Sequence, residues 1–459
     1  MATHRPGEPD GGPPLAEALR IAASAWQQLR AGTALGRALE LAAAAHREPR
    51  HARAFAAAQD ITYTATRHLA LLDALIAQLA ARPPAPAVAA LLAVALAQLI
   101  EEPPRHASYT VVDQAVTAAR SDRRTAPAAG FINATLRAFL RGADEMLARA
   151  RRDDVVRLNA PRWWIERLQK EFPRQWRGVL EAQAEPPPLV VRVNTRRTAP
   201  EVYLQRLQQE NVEALRVGDH AVWLRQPQPV ERIPGFVAGD VSVQDAGSQV
   251  AAHWLDVRPG QRVLDACAAP GGKTGHLAET TDALIDALEV DPQRAARIES
   301  NLARLGLADR ERVRVLVGDA SKPETWPARP AYERILLDAP CTASGIVRRH
   351  PDIPWLRREA DVAQLATIQA RLLDALWPLL APAGRLLYIV CSLFSEEASE
   401  QAARFLERRA DARAVVLPGQ STGSVQLLPT PLAQAGQWPG GASTPSLHDG
   451  FFYALFEKR

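Results

Sequence analysis

The chain has three cysteines, Cys267, Cys341 and Cys391, and each stands just past a short apolar run of the kind that forms a buried strand. There is no Cys-x-x-Cys pair, and only His276 and His350 lie near in sequence, so no metal is expected. An odd cysteine count without a secretory leader also argues against a disulfide framework. Thiols gathered at one crevice suit covalent chemistry. Taken singly, each is equally well explained as a small buried hydrophobe.

Cys267 belongs to the stretch Val263-Leu264-Asp265-Ala266-Cys267-Ala268-Ala269-Pro270-Gly271-Gly272-Lys273-Thr274. It reads as a strand, a turn of small residues and a helix opening near Lys273, which leaves backbone bare for a ligand. A Walker phosphate loop needs a glycine where this chain has Cys267, and the Gly-x-Gly-x-x-Gly spacing of a dinucleotide site is absent.

A second strand at 283–290 carries Glu289, roughly twenty residues past the Gly loop, where a carboxylate accepts the ribose hydroxyls of a bound adenosine. Asp291, before Pro292 at the first position of a helix reaching Leu305, reads as an N-cap, so Glu289 is the candidate ribose ligand. Strands at 313–317, 334–337 and 385–390, the last after a Pro382-Ala383-Gly384 turn, lead to Asp319, to Asp338-Ala339-Pro340-Cys341 and to Cys391-Ser392. Open α/β sheets bind ligands at the carboxyl ends of parallel strands, so Asp265, Glu289, Asp319 and Asp338 are expected to face one crevice.

The segments DACAAPGGKT, GDAS, LLDAPCTASGIVRRHPD and YIVCS, in this order, resemble the motifs of the S-adenosylmethionine-dependent RNA cytosine-C5 methyltransferases. The helical region ahead of them is similar to the arrangement in the bacterial 16S ribosomal RNA enzymes of that family. The resemblance implies S-adenosylmethionine as cofactor, held by Cys267, Ala268, Ala269, Pro270, Gly271, Gly272, Lys273, Glu289, Asp319 and Asp338. It implies Cys391 as the nucleophile, Cys341 as the residue of the release step, and Asp338 beside the cytosine edge or the methionine end of the cofactor.

The chemistry accounts for two thiols. C5 of cytosine is a poor nucleophile, so a thiolate first adds at C6 and makes C5 electron-rich enough to take a methyl group. A free thiol, with a pKa of about 8.5, needs activation by its surroundings. After transfer, the C5 proton must leave and the bond to the base must break. Two departures from the family pattern stand out: Val390 precedes Cys391 where Thr is usual, and Leu288-Glu289-Val290-Asp291 replaces a common Asp-x-Asp. DNA cytosine enzymes attack with the Pro-Cys thiol, which here would make Cys341 the nucleophile. Competing readings are the same reaction on transfer RNA, or an RNA-binding assembly protein with an inactive methyltransferase domain.

The elements that must position these residues occupy 459 residues, a prior of about three domains. The expected limits are a disordered tail at 1–14, a helical domain at 15–148, a helical linker with a small α+β subdomain at 149–244, and the catalytic domain at 245–459. The fold class is thus an all-α bundle, a small α+β unit and a Rossmann-like α/β methyltransferase domain. Within the bundle, GFINATLR at 130–137 resembles the last helix of the NusB fold, an RNA-binding module, although an Ala-rich bundle by composition alone reads as a spacer.

A net charge of +4 is compatible with nucleic acid without demanding it. The apolar run at 87–100 is shorter than the roughly 20 residues a membrane span needs and reads as a buried helix, so the expectation is a cytoplasmic monomer without membrane or DNA partners, acting on a single-stranded or flipped cytosine in 16S ribosomal RNA. Trp163, Trp164 and Trp176 among arginines suit base stacking, but helical spacing favours a core role. Arg192-Val193-Asn194-Thr195 resembles a motif of the family's RNA-facing subdomain. Arg348 and Arg349 are expected beside the incoming base, and Ser395 with Glu396 and Glu397 reads as a helix start. Residues 417–447 read as a loop, and a last strand at 451–456 as an antiparallel sheet edge.

Overall fold

The computed structural model describes residues 15–45, 51–329, 331–441 and 444–459, so the polar stretch at 1–14 lies outside the described residues. Two compact units partition the chain: Met1–Ile165 with His350–Leu356, and Glu166–Arg349 with Arg357–Arg459.

The first unit is helical. Helices α1 (Leu15–Arg30), α2 (Leu35–Ala45), α3 (His51–Arg67), α4 (Leu69–Leu79), α5 (Pro86–Leu99), α6 (Ser108–Arg120) and α7 (Ala129–Ala150) share one core. The proline pairs Pro83-Pro84 and Pro103-Pro104 fall between helices, where a missing N–H costs no ladder bond. α5 is apolar around its whole circumference because it runs through the middle: Ala90 to Gln98 is buried without interruption. Small alanines on α1, α3 and α5 let the backbones approach closely. Among the described residues no helix is long and apolar enough to cross a membrane. Asp352, in the short segment that joins this unit, accepts from the Leu35 N–H at 2.8 Å and so caps the open N-terminus of α2.

The second unit holds two sheets. Strands β1 (Leu189–Val193), β2 (Ala214–Arg216), β3 (Ala221–Leu224) and β4 (Val241–Val243) form an antiparallel sheet in the order β2-β3-β1-β4, with the helix Pro200–Gln209 packed on it. Strands β5 (Arg262–Ala266), β6 (Leu284–Glu289), β7 (Val313–Val317), β8 (Tyr332–Asp338), β9 (Leu380–Val390), β10 (Ala412–Ala414), β11 (Ser424–Leu427) and β12 (Phe451–Lys458) form the large sheet. Its order is β10-β12-β9-β8-β5-β6-β7, with β11 beside β12. β5 to β9 run parallel, and β12 pairs antiparallel with β9. From β5 the chain winds first towards β7 and then back through β8 to β9. The reversal between β5 and β8 opens a crevice at their carboxyl ends.

Several sequence expectations are corrected. β12 is not an edge, because the short strands β10 and β11 cover its far side, and β11 lies within the expected loop at 417–447. β9 begins at Leu380, and Pro382-Ala383-Gly384 forms an irregularity inside the strand, with Ala383 left-handed at φ 57° and the β8 register shifting between Tyr332 and Arg334. The helix expected at Ser395 begins at Ser399.

Candidate active site

The Gly loop follows β5 as expected. Cys267 takes a left-handed backbone at φ 62°, the Ala268 N–H donates to the Leu288 carbonyl, and Gly271 sits at φ 91°. A side chain at Gly271 would meet Ile298 at 3.0 Å, so the turn into the helix Gly272–Thr280 requires glycine here. That helix is Pro-free and docks on the helix Pro292–Leu305, whose Asp291 cap accepts from the N–H groups of Gln293 and Arg294.

The acids at the strand ends separate into two sets. Asp265 is fully buried beneath the loop, accepts from Thr274 Oγ1 at 2.5 Å, and is pushed up to a pKa of about 7 by burial, so it does not face the crevice as expected. Glu289 is also buried and accepts from the Ala269 and Asp291 N–H groups, both at 3.2 Å. These bonds tie its carboxylate to the loop. Asp338 and Asp319 are open, with side chains 33% and 40% exposed. Hydrogen bonds from the Ser321 hydroxyl and N–H hold Asp319 below the usual carboxylate range. Val290 and Val317, at the ends of β6 and β7, are exposed apolar residues that the sequence reading did not single out; their position beside Glu289 and Gly318 is the signal.

Lys273 Nζ lies 2.6 Å from Asp338 Oδ2, which joins the Gly-loop helix to the end of β8. Burial works against the ammonium charge, but Asp338, Asp265 and Cys391 outweigh it and raise the Lys273 pKa. The Lys273 side chain is only 12% exposed, so it is not a solvated surface lysine.

The thiols of Cys341 and Cys391 are 3.4 Å apart, brought together because β8 and β9 are neighbours in the sheet. Cys391 is half-buried and Cys341 buried. The hydrogen bond to Cys391, burial, and the nearby charges of Cys391 and Glu397 push the Cys341 pKa well above its ordinary value and disfavour its thiolate. Cys267 stands on the Gly loop, where burial pushes its thiol up to about 12 and disfavours the thiolate.

Arg348 and Arg349 do not reach the crevice. Both bind the buried Asp449, Arg348 also donates to the Thr430 carbonyl, and Arg349 donates to Asp245 at 2.9 Å. Their guanidiniums anchor the turn that follows Cys341 instead of meeting phosphates. Arg192 and Asn194 are likewise buried, with Asn194 Nδ2 donating to the Gly239 carbonyl at 3.0 Å. Trp164 is a core residue. Among the described residues no group of three His, Cys, Asp or Glu side chains could hold a metal ion.

The comparisons with known proteins agree with this geometry. Residues 252–457 match the family model "16S rRNA methyltransferase RsmB/F", residues 160–231 its ferredoxin-like domain, and residues 17–141 the NusB family. The ribosomal RNA small subunit methyltransferase B of Escherichia coli O7:K1 is 41% identical over 335 residues, 72% of this chain and 73% of that protein. The protein of that name from Shigella boydii serotype 4 matches at the same identity and coverage. Among solved structures, PH0851 covers 96% of this chain and 99% of its own at 27% identity and a TM-score of 0.74. A methyltransferase homolog from Pyrococcus horikoshii covers 66% of this chain and 97% of its own, at 28% identity and a TM-score of 0.54. A NusB-like helical bundle, a ferredoxin-like subdomain and a doubly wound sheet with its Gly loop thus occur in one order, and the chain belongs to the 16S rRNA methyltransferase RsmB/F family.

Proposed function

We propose that this protein transfers a methyl group from S-adenosylmethionine to C5 of a cytosine in 16S ribosomal RNA, through a covalent bond between Cys391 and C6 of the base. The observation that carries the reading is the thiol pair, 3.4 Å apart beyond the carboxyl ends of the neighbouring strands β8 and β9.

The crevice fits the cofactor. Open carboxylates at Asp319 and Asp338 offer acceptors for hydroxyl and amino groups, the loop from Cys267 to Gly272 offers backbone, and Val290 and Val317 offer apolar surface to an adenine ring. When bound, S-adenosylmethionine supplies an electrophilic methyl group on sulfur. Cys391 adds to C6 as a thiolate, and the electron pair of the C5=C6 bond makes C5 the nucleophile. Lys273 and Asp338 orient the base edge. C5 takes the methyl group as the methyl–sulfur bond breaks, its electron pair remaining on that sulfur; the C5 proton then passes to water, the pair from that C–H bond re-forms C5=C6, and the bond from C6 to Cys391 Sγ breaks with its pair returning to the thiolate. Cys341, at 3.4 Å, assists this release.

The domain limits at 15–148, 149–244 and 245–459 go with this reading, the first two holding RNA and the last performing transfer. The target cytosine is single-stranded or flipped out of its stem, because C6 is inaccessible in a stack.

The test is methyl transfer from labelled cofactor to unmodified 16S ribosomal RNA, followed by digestion to nucleosides. Label in 5-methylcytidine is expected. Label in another nucleoside, or transfer confined to transfer RNA, would overturn the assignment. In the same assay Lys273→Met, which removes the cation facing Asp338, is expected to lower the rate by about 10²-fold, as loss of one preorganised electrostatic partner does. An unchanged rate would remove Lys273 from the site.

A further inference from the structure

The two cysteine-bearing turns are joined by a buried polar cluster centred on Glu397. Its Oε1 accepts from the Thr342 N–H at 2.9 Å and from Gln369 Nε2 at 3.0 Å. Its Oε2 accepts from Thr342 Oγ1 at 2.5 Å and from Ser392 Oγ at 2.6 Å. Thr342 follows Cys341 and Ser392 follows Cys391, so one carboxylate grips the neighbour of each thiol. Tyr388 Oη donates to the Glu397 carbonyl at 2.6 Å and Gln369 Nε2 to the Pro340 carbonyl at 2.9 Å. The ionised carboxylate accepts all four donors as they stand, whereas a protonated one would have to turn a hydroxyl round.

We propose that Glu397 is the positioning residue of the cysteine pair: it clamps both turns at reacting distance and sets Cys391 apart from Cys341 as the thiol that attacks the base. A buried negative charge beside Cys341 disfavours a second thiolate there. Without it the chain would hold two thiols able to attack C6, the choice that separates this chemistry from attack by the Pro-Cys thiol. Burial raises the Glu397 pKa while its four hydrogen bonds lower it, and the charge on Glu397 contributes to the raised pKa of Cys341. The other titratable groups around the pair are Lys273, Asp338, Tyr388 and Tyr453, and Arg357 donates to the Cys341 carbonyl at 3.3 Å.

The inference rests on the reaction proposed above, so its test reads the thiols directly as well as turnover. The wild-type chain and Glu397→Gln are alkylated with chloroacetamide from pH 6 to pH 9, and the labelled cysteines are quantified by peptide mass spectrometry. Wild type is expected to react at Cys391, with Cys341 protected. In Glu397→Gln the share of label on Cys341 should rise about tenfold, the change in thiolate fraction that one pKa unit brings. Methyl transfer should fall by about 10²-fold with little change in KM for RNA, and Glu397→Asp, which keeps the charge, should recover part of the loss. If Glu397→Gln does not fold, Thr342→Val and Ser392→Ala, each removing one hydroxyl donor, carry the same prediction with a loss of about three- to tenfold. Unchanged alkylation in folded variants would overturn the inference, as would a loss of rate that Gln and Asp share equally. Absence of transfer by wild type, with the alkylation pattern as expected, would count against the proposed reaction and not against the clamp.

Discussion

Cys391→Ala is expected to leave no measurable methyl transfer, whereas Cys341→Ala is expected to stop turnover with the protein covalently attached to RNA. The two thiols are within hydrogen-bond reach, so geometry alone treats them alike. Burial and protonation do not. Cys391 is half-buried, whereas Cys341 is buried and carries a pKa raised by its bond to Cys391, by burial and by Glu397. Loss of the nucleophile costs at least about 10³-fold, as in other covalent enzymes. Loss of Cys341 leaves attack possible but removes the group beside the C6–S bond when that bond must break. Labelled RNA retained with the protein on a denaturing gel reads the difference. Adduct in Cys391→Ala instead would exchange the roles, and adduct in neither would remove the covalent route.

The Gly loop, the helix Pro292–Leu305 and the three cysteines were legible because their signals are local: a glycine that must bend, an Asp before Pro, a thiol at the end of an apolar run. Glu397 was misread because its chemistry is not local. Its partner Thr342 is 55 positions away, and Ser395-Glu396-Glu397 looks like a helix start until the fold turns Glu397 inward. Arg348 and Arg349 were misread for the same reason, since Asp449, about 100 positions on, neutralises them. Asp265 stands at the strand end where the sequence put it, but alternation of side chains along a strand does not reveal whether a strand end faces the crevice or is buried within the sheet.

Arg192→Met is expected to destabilise the second unit by about 3–5 kcal/mol, the cost of leaving one member of a buried ion pair unpaired. Arg192 makes a two-pronged contact with Glu279, Nε to Oε2 at 2.8 Å and Nη2 to Oε1 at 2.7 Å, with both side chains almost wholly inaccessible. Its Nη1 donates to the Gly272 carbonyl at 2.6 Å, so a strand of the small sheet holds the first turn of the Gly-loop helix. Burial already raises the Glu279 pKa and Arg192 pulls it back, so removing Arg192 raises it further. A carboxylate raised in the folded state lowers stability fully above its folded pKa and not at all below its unfolded one. The deficit of Arg192→Met in urea melts should therefore be larger at pH 8 than at pH 5. Cofactor binding should weaken in parallel, because the loop loses its brace at Gly272. Arg192→Met combined with Glu279→Leu should recover much of the stability, since a buried pair replaced by apolar residues of similar volume is often neutral. It should not recover cofactor affinity, which depends on the donor to Gly272. A single variant as stable as wild type at pH 8 would show that water reaches Glu279.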